Sequence, residues 1–329
     1  MKGHFKNILC VLHDTHEQEA LVAQAMHIAK KHQAKLTVLL VLDELPPNAN
    51  MIMQSFEYLE SQSSLSQTAQ SWMDKKVAQW AEQYPVTGEI AIGHLYLEVI
   101  HLVVSKHYDL VVKFTENQLT MSITGAEDRN LLRKCPCPVW ILHRNQPRQY
   151  KQVVAAIDIN YHYPQHEVQI RKQLALDILS YASRIALLEY AQLHIVHVFD
   201  AVPENILRHG FISVNEHALQ QDLRAIKSER ETELDRLLGI LRLELDDKAY
   251  EYLTPQCHLV HGYPRKMIAE AASSCGADII VLGTLSRLGV PGYIMGGTAE
   301  ETIEQLECAV VGLKPEGFVT PVRLPDDGH

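Results

Sequence analysis

No run of apolar residues in this 329-residue chain reaches the roughly 20 needed to span a bilayer. The opening Met1-Lys2-Gly3-His4-Phe5-Lys6-Asn7 lacks the apolar core of a secretory leader, so a cytoplasmic protein without membrane insertion is expected. A basic excess is also missing. With a formal net charge of −10 and a pI near 6.0, the chain offers no positive face for phosphate backbones, and nucleic acid is not an expected partner. Cysteine is sparse: Cys10, Cys135, Cys137, Cys257, Cys275 and Cys308 lie mostly in or beside apolar runs, the pattern of buried thiols rather than of a disulfide framework. Cys135 and Cys137 form a C-x-C around a proline with no further ligand at zinc-site spacing, so no metal is expected. No lysine follows a glycine loop as in a Walker motif, and there is no Gly-x-Ser-x-Gly elbow. Catalysis is therefore not the expected role.

What is present is a twice-repeated alternation of short apolar runs and longer amphipathic ones. The first half predicts strands at 8–12, 36–42, 88–92, 110–112 and 139–142, with helices over 19–32, 57–84, 97–107 and the stretch ending at 134. The second half repeats that order, with strands at 153–157, 193–198, 258–260, 279–282 and 310–313 and helices over 174–187, 215–243, 264–275 and 298–306. At about 150 residues each, both halves can bury their own core. Polar residues 144–151 mark the boundary, giving modules at 1–145 and 150–315 and a C-terminal tail at 316–329. Strands joined through helices predict parallel α/β sheets.

The segment Asp278 to Ser286 reads as a buried strand running into a glycine-bearing loop. That loop closes at Gly296-Gly297-Thr298-Ala299-Glu300, the start of a helix whose first amides are free to hold an anion. The spacing Gly283-x2-Ser286-x9-Gly296, set before a C-terminal strand and preceded by an earlier degenerate copy, resembles the universal stress protein family in its tandem form. The segments Leu131 to Trp140 and His261 to Ile268 carry the same likeness, which covers essentially the whole chain.

The resemblance implies two Rossmann-like modules, each a five-stranded parallel sheet flanked by helices, paired through their last strands as a pseudo-dimer. In nucleotide-binding members an acid after the first strand holds the ribose, backbone after the second strand meets adenine, and a G-x2-G-x9-G-[S/T] loop cradles the phosphates. Here Asp158 matches the acid, Val198 the adenine side, Gly283 the first glycine and Gly296 the third, while Ser286 replaces the second glycine and Gly297 the hydroxyl residue. Thr298 can stand in for the lost hydroxyl, and Gly262 completes the implied ligand-binding set. The implied function is a stress-response protein binding ATP or AMP, with Mg²⁺, in the second module. In the first, His13 beside Asp14 takes the acid's place and Phe114 the glycine's, so nucleotide is not expected there.

The rival reading is an interaction scaffold or a carrier of an apolar, lipid-like molecule, with the helices at 57–84 and 215–243 bordering a groove; a weak ATPase is third. Further homodimerisation and protein partners are left open. Among the histidines, His194 and His197 fall on opposite faces of one strand and cannot chelate together. His162 and His166 are placed in a loop after Asp158, and His261 at a strand end beside the phosphate pocket, as contact or bystander.

Overall fold

Among the described residues ten strands alternate with amphipathic helices; eight of them are buried runs rich in Val, Ile, Leu and Ala, while those at 86–92 and 256–261 are half-buried to exposed. The computed structural model describes residues 3–13, 18–43, 55–115, 125–143, 147–160, 163–199, 216–285 and 296–323. In chain order the elements are β1 (Asn7–Leu12), α1 (Gln18–His32), β2 (Lys35–Leu42), α2 (Ser55–Ala81), β3 (Val86–Ile92), α3 (Leu95–Lys106), β4 (Leu110–Phe114), α4 (Ala126–Lys134) and β5 (Val139–Leu142). The repeat follows as β6 (Gln152–Ala156), α5 (Gln165–Glu189), β7 (Gln192–Phe199), α6 (Glu216–Glu244), α7 (Asp247–Leu253), β8 (Gln256–His261), α8 (Pro264–Ser274), β9 (Ile279–Gly283), α9 (Gly297–Glu304) and β10 (Ala309–Leu313). Every expected strand forms. The short α7, absent from the sequence reading, is nucleated by Asp246, whose carboxylate accepts the Ala249 amide at 2.8 Å.

The chain divides into two compact units, one of residues 5–114, 134–140 and 320–329, the other of residues 1–4, 115–133 and 141–319. In the first unit the parallel strands lie in the order β3-β2-β1-β4. The apolar stripe of α2 packs on this unit's own sheet: Met73 and Trp80 are buried, and Gly88 of β3 leaves the room that Met73 and Val77 fill. In the second unit the order is β10-β9-β6-β7-β8, again parallel. Here Leu234, Leu237 and Leu241 of α6 are buried. These parts of both stripes serve as core, while Leu223 and Ile226 nearer the start of α6 are half-buried.

Internal duplication is visible in hydrogen bonds as well as in element order. Asp109, just before β4, takes the amides of Lys6 and Asn7 at 2.7 and 2.9 Å. Asp278, just before β9, takes those of Lys151 and Gln152 at 2.6 and 2.9 Å. Each carboxylate clasps the start of its module's first strand to the neighbouring strand. Gly93 and Gly262 also correspond: both have positive φ (+148° and +143°), and their amides bond Leu42 O and Phe199 O, each at 3.0 Å.

Because each of these acids satisfies two backbone donors with a charged acceptor, Asp109→Ala and Asp278→Ala should each cost about 2 kcal/mol of stability. Asp278→Asn, which keeps one acceptor oxygen, should cost less. Urea midpoints followed by circular dichroism check the order; an unshifted midpoint in either alanine variant would show that the clasp contributes nothing.

Candidate ligand site

In the second unit the chain leaves β6 toward β7 and β8 on one side, while β9 and β10 lie on the other. At such a reversal the loops after neighbouring strands splay apart, and a crevice opens at the strands' carboxyl ends. A cavity of about 600 Å³ lies there. Its floor is apolar, built from Ile157, Leu174, Ile178, Val198, Ile268 and Leu282, and its rim is polar, with Asp158, Asn160, Tyr163, Arg171, Arg265 and the first residues of α9.

Asp158 follows β6 by two residues, where the pairing of Ala156 with Leu282 and with Val196 brings it to the rim. Its Oδ1 accepts the Asn160 amide at 3.0 Å, closing an Asx turn. Its Oδ2 accepts from Tyr163 Oη and from Arg171 Nη1, both at 3.1 Å. The Arg171 guanidinium lies 3.6 Å from the Tyr163 ring centroid and also reaches Glu167 at 3.4 Å. Burial, followed by the adjacent Asp158 charge, pushes the Tyr163 phenol up to about 12, so it remains a donor.

On the opposite rim, Arg265 stands in the first turn of α8 and pairs with Glu301 of α9. Its carbonyl accepts from Thr302 Oγ1 at 3.3 Å, so the same residue ties the two helix starts together. Gly296 is the N-cap of helix α9 and offers no side-chain cap; Glu300 N–H makes the first intrahelical bond, to Gly296 O. The amides of Gly297, Thr298 and Ala299 come before that bond, on residues that line the cavity. Positive helix-dipole end and guanidinium therefore share one corner.

His197 of β7 also faces the cavity, and its Nδ1 donates to Ile157 O at 3.1 Å. That bond leaves Nε2 as the acceptor, buried without a protein partner among the described residues. Burial, the largest influence, holds the ring below its ordinary pKa.

Of the residues expected from sequence, Asp158, Val198, Gly283, Gly296, Gly297 and Thr298 all meet at this cavity. Gly262 does not line it; its positive φ serves the turn, and a Cβ there would strike Met267 at 2.8 Å. Ser286 lies outside the described residues, as do Asp14 and His162. His166 belongs to the first turn of α5 rather than to a loop, because that helix starts nine residues before the expected Leu174. His261 ends β8 beside Phe199, at 5.7 Å between centroids, and is not on the cavity wall. Tyr163, Arg171, Arg265 and His197 were not foreseen as site residues; an arginine directly after Pro264 at a helix start was the available signal for one of them.

The glycines have reasons that spacing did not reveal. A Cβ on Gly283 would come within 2.7 Å of Leu174 Cδ2, and one on Gly297 within 3.0 Å of Arg265 Nη2. In the first unit, Phe114 ends β4 half-buried at the position equivalent to Gly283, and His13 faces Asp43 at 3.6 Å.

A sequence profile described as the universal stress protein family matches residues 4–143 and 168–314. Among curated proteins, the chain is similar to universal stress protein E of Photorhabdus laumondii subsp. laumondii, 25% identical over 332 residues and covering 98% of each chain. It is likewise similar to universal stress protein E of Escherichia coli K12, 24% identical over 331 residues with the same coverage. Two solved structures share the fold. One is a protein of unknown function from Pseudomonas aeruginosa PAO1 (TM-score 0.60, 23% identity, covering 94% of this chain and 93% of that one). The other is a universal stress protein from Archaeoglobus fulgidus (TM-score 0.59, 18% identity, covering 95% and 99%). No helix among the described residues is long and apolar enough to cross a membrane.

The depressed pKa of His197 has a definite sign in stability. The unfolded chain takes up a proton near the ordinary value of about 6.5 while the folded chain resists it, so this contribution is complete above that pH and is lost as pH falls through the lower folded value. His143 and His194, also lowered chiefly by burial, act in the same direction. The urea midpoint should therefore fall between about pH 7.5 and 5.5, and His197→Gln should flatten the slope. An unchanged slope in the variant would mean that the folded site does not exclude the proton.

Proposed function

The chain belongs to the universal stress protein family, with its domain present twice, and from that premise we propose that the second repeat binds a small phosphorylated ligand, an adenine nucleotide foremost, in a cytosolic stress-response role. The observation that carries this reading is the convergence of three features on one cavity: an arginine beside uncapped helix amides, a carboxylate across the rim, and an apolar floor between them. A volume near 600 Å³ is in the range of nucleotide-sized pockets. Phosphate oxygens would take the amides at the start of α9 together with Arg265, a charge-assisted arrangement that needs no hydroxyl at position 297. Glu301 now holds that guanidinium, and a multiply charged phosphate, with Mg²⁺ on its outer oxygens, competes well against one half-exposed carboxylate. Asp158 would accept from sugar hydroxyls, because a carboxylate has about four lone-pair positions and the three bonds it already accepts leave one free. Val198 and Ile157 would lie against the base.

One observation favours a second reading, a carrier of an apolar or lipid-like molecule: Asp158 is already satisfied by Arg171 and Tyr163, so the cavity's strongest acceptor is partly engaged and its walls are largely apolar.

Calorimetric titration of the ligand-stripped chain with ATP, ADP and AMP, each with and without Mg²⁺, separates the two. Saturable binding near one equivalent is expected. Arg265→Ala should weaken it by about 10- to 100-fold, the cost of a hydrogen bond to a charged group, with the circular dichroism spectrum unchanged. Absence of heat from all three nucleotides, together with saturable uptake of a fluorescent fatty acid, would replace the nucleotide reading with the second.

A further inference from the structure

On the face of the second unit's sheet away from His197, three ligand-type side chains converge. His194 of β7 lies between Val154 of β6 and Gln256 of β8, and His258 stands two residues farther along β8 on the same face. Their rings stack with centroids 5.3 Å apart, and His194 Nδ1 is 3.0 Å from His258 Nε2. Cys275, which follows the last turn of α8, places its Sγ 3.8 Å from the same His258 Nε2. One donor atom from each residue lies within 4.8 Å of the other two. None of the three lines the ligand cavity.

The hydrogen bond behind this cluster gives it direction. Gln152 Oε1 sits 2.8 Å from His194 Nε2. A carbonyl oxygen only accepts, so Nε2 carries the proton and Nδ1 presents its lone pair to His258 and Cys275. A metal-bound histidine is oriented in this same way, its far N–H donated to a carbonyl or carboxylate. With metal–nitrogen bonds of about 2.0–2.1 Å and a metal–sulfur bond of about 2.3 Å, the edges of a tetrahedron come to roughly 3.3 Å for N···N and 3.6 Å for N···S. The separations of 3.0 and 3.8 Å to His258 Nε2 depart from those by a few tenths of an ångström, and His194 Nδ1 and Cys275 Sγ lie within 4.8 Å of each other. His194 is buried while His258 and Cys275 are half-buried, which leaves a path for an ion and an open fourth position.

We propose that His194 Nδ1, His258 Nε2 and Cys275 Sγ form a three-ligand site for a thiophilic divalent ion of the zinc class, with water as fourth ligand and Gln152 setting the His194 tautomer. Binding forms the metal–sulfur bond and releases the thiol proton to solvent, while the proton that His258 Nε2 donates to His194 Nδ1 in the metal-free chain moves to His258 Nδ1, freeing the Nε2 lone pair. Cys257 adjoins His258 in the chain, but strand alternation sends its side chain to the other face, so it cannot contribute.

Co²⁺, a spectroscopic substitute for Zn²⁺, provides the test on the full chain. One equivalent should give the intense visible bands of tetrahedral cobalt and a near-ultraviolet thiolate-to-cobalt charge-transfer band, both bleached by Zn²⁺. Cys275→Ser should abolish the charge-transfer band and His258→Gln the tetrahedral intensity, whereas Cys257→Ser should leave both intact. Gln152→Leu should keep the spectrum but weaken affinity by about 10- to 100-fold. Circular dichroism of each apo-protein establishes that it is folded. A parent chain without the thiolate band, or a band that survives in Cys275→Ser or disappears in Cys257→Ser, overturns the site and leaves the two histidines as a hydrogen-bonded core pair.

Discussion

The carboxylate of Asp278 holds together most of what matters in the second unit. It takes two successive amides at the head of β6, while its own amide bonds Gln152 O at 3.0 Å, so β6 and β9 start side by side in a single register. That register has consequences at both ends of the strands. At the carboxyl ends it brings Asp158 and Gly283 to one crevice; at the amino ends it puts Gln152 within reach of His194. A slip of one residue would reverse every side chain on β6 and dismantle both arrangements at once. The same clasp by Asp109 in the first unit shows that the constraint belongs to the repeat and not to either candidate site.

Much of the architecture was legible in the sequence because doubly buried parallel strands are written as continuous apolar runs, and the runs 139–142 and 279–282 are examples that required little correction. Helix limits were less legible where polar residues open an element. α5 begins at Gln165, in a stretch with two histidines and a glutamate that reads as loop until Leu174 anchors it. α7 depends on the capping carboxylate of Asp246 and has only Leu253 buried. The first turns of α5 and the whole of α7 lack an apolar period long enough to announce themselves.

The candidate site was half legible for a related reason. Residues on strand ends and loop glycines occur at fixed offsets, so Asp158, Val198, Gly283 and the Gly296–Thr298 turn could be named in advance. Arg171, Tyr163 and Arg265 come from helix starts and a connecting loop, and their role depends on three-dimensional neighbours: Tyr163 under Arg171, Glu301 beside Arg265. The His194, His258 and Cys275 cluster was out of reach for the same cause. Its members are up to 81 residues apart and lack the short spacing by which metal sites are recognised in sequence.

The two glycines of the loop illustrate how an unchanged residue can have a changed reason. The family pattern reads glycine as permission for a phosphate to approach the backbone, yet here the space beside Gly283 is taken by Leu174 and that beside Gly297 by the Arg265 guanidinium. In the second case the missing Cβ lets a cation rest against the first turn of α9, where the helix dipole is already positive. Under the proposed nucleotide reading, the Arg265 guanidinium takes the part of the hydroxyl that position 297 lacks, with more charge and greater reach. The first case serves the floor instead, because Leu174 belongs to the cavity wall and any side chain at 283 would push it inward. In the other repeat the equivalent position is Phe114, half-buried at the end of β4. The two modules thus share their strand-clasping carboxylates but differ at this strand end and at the acid's position, where His13 stands in place of Asp158.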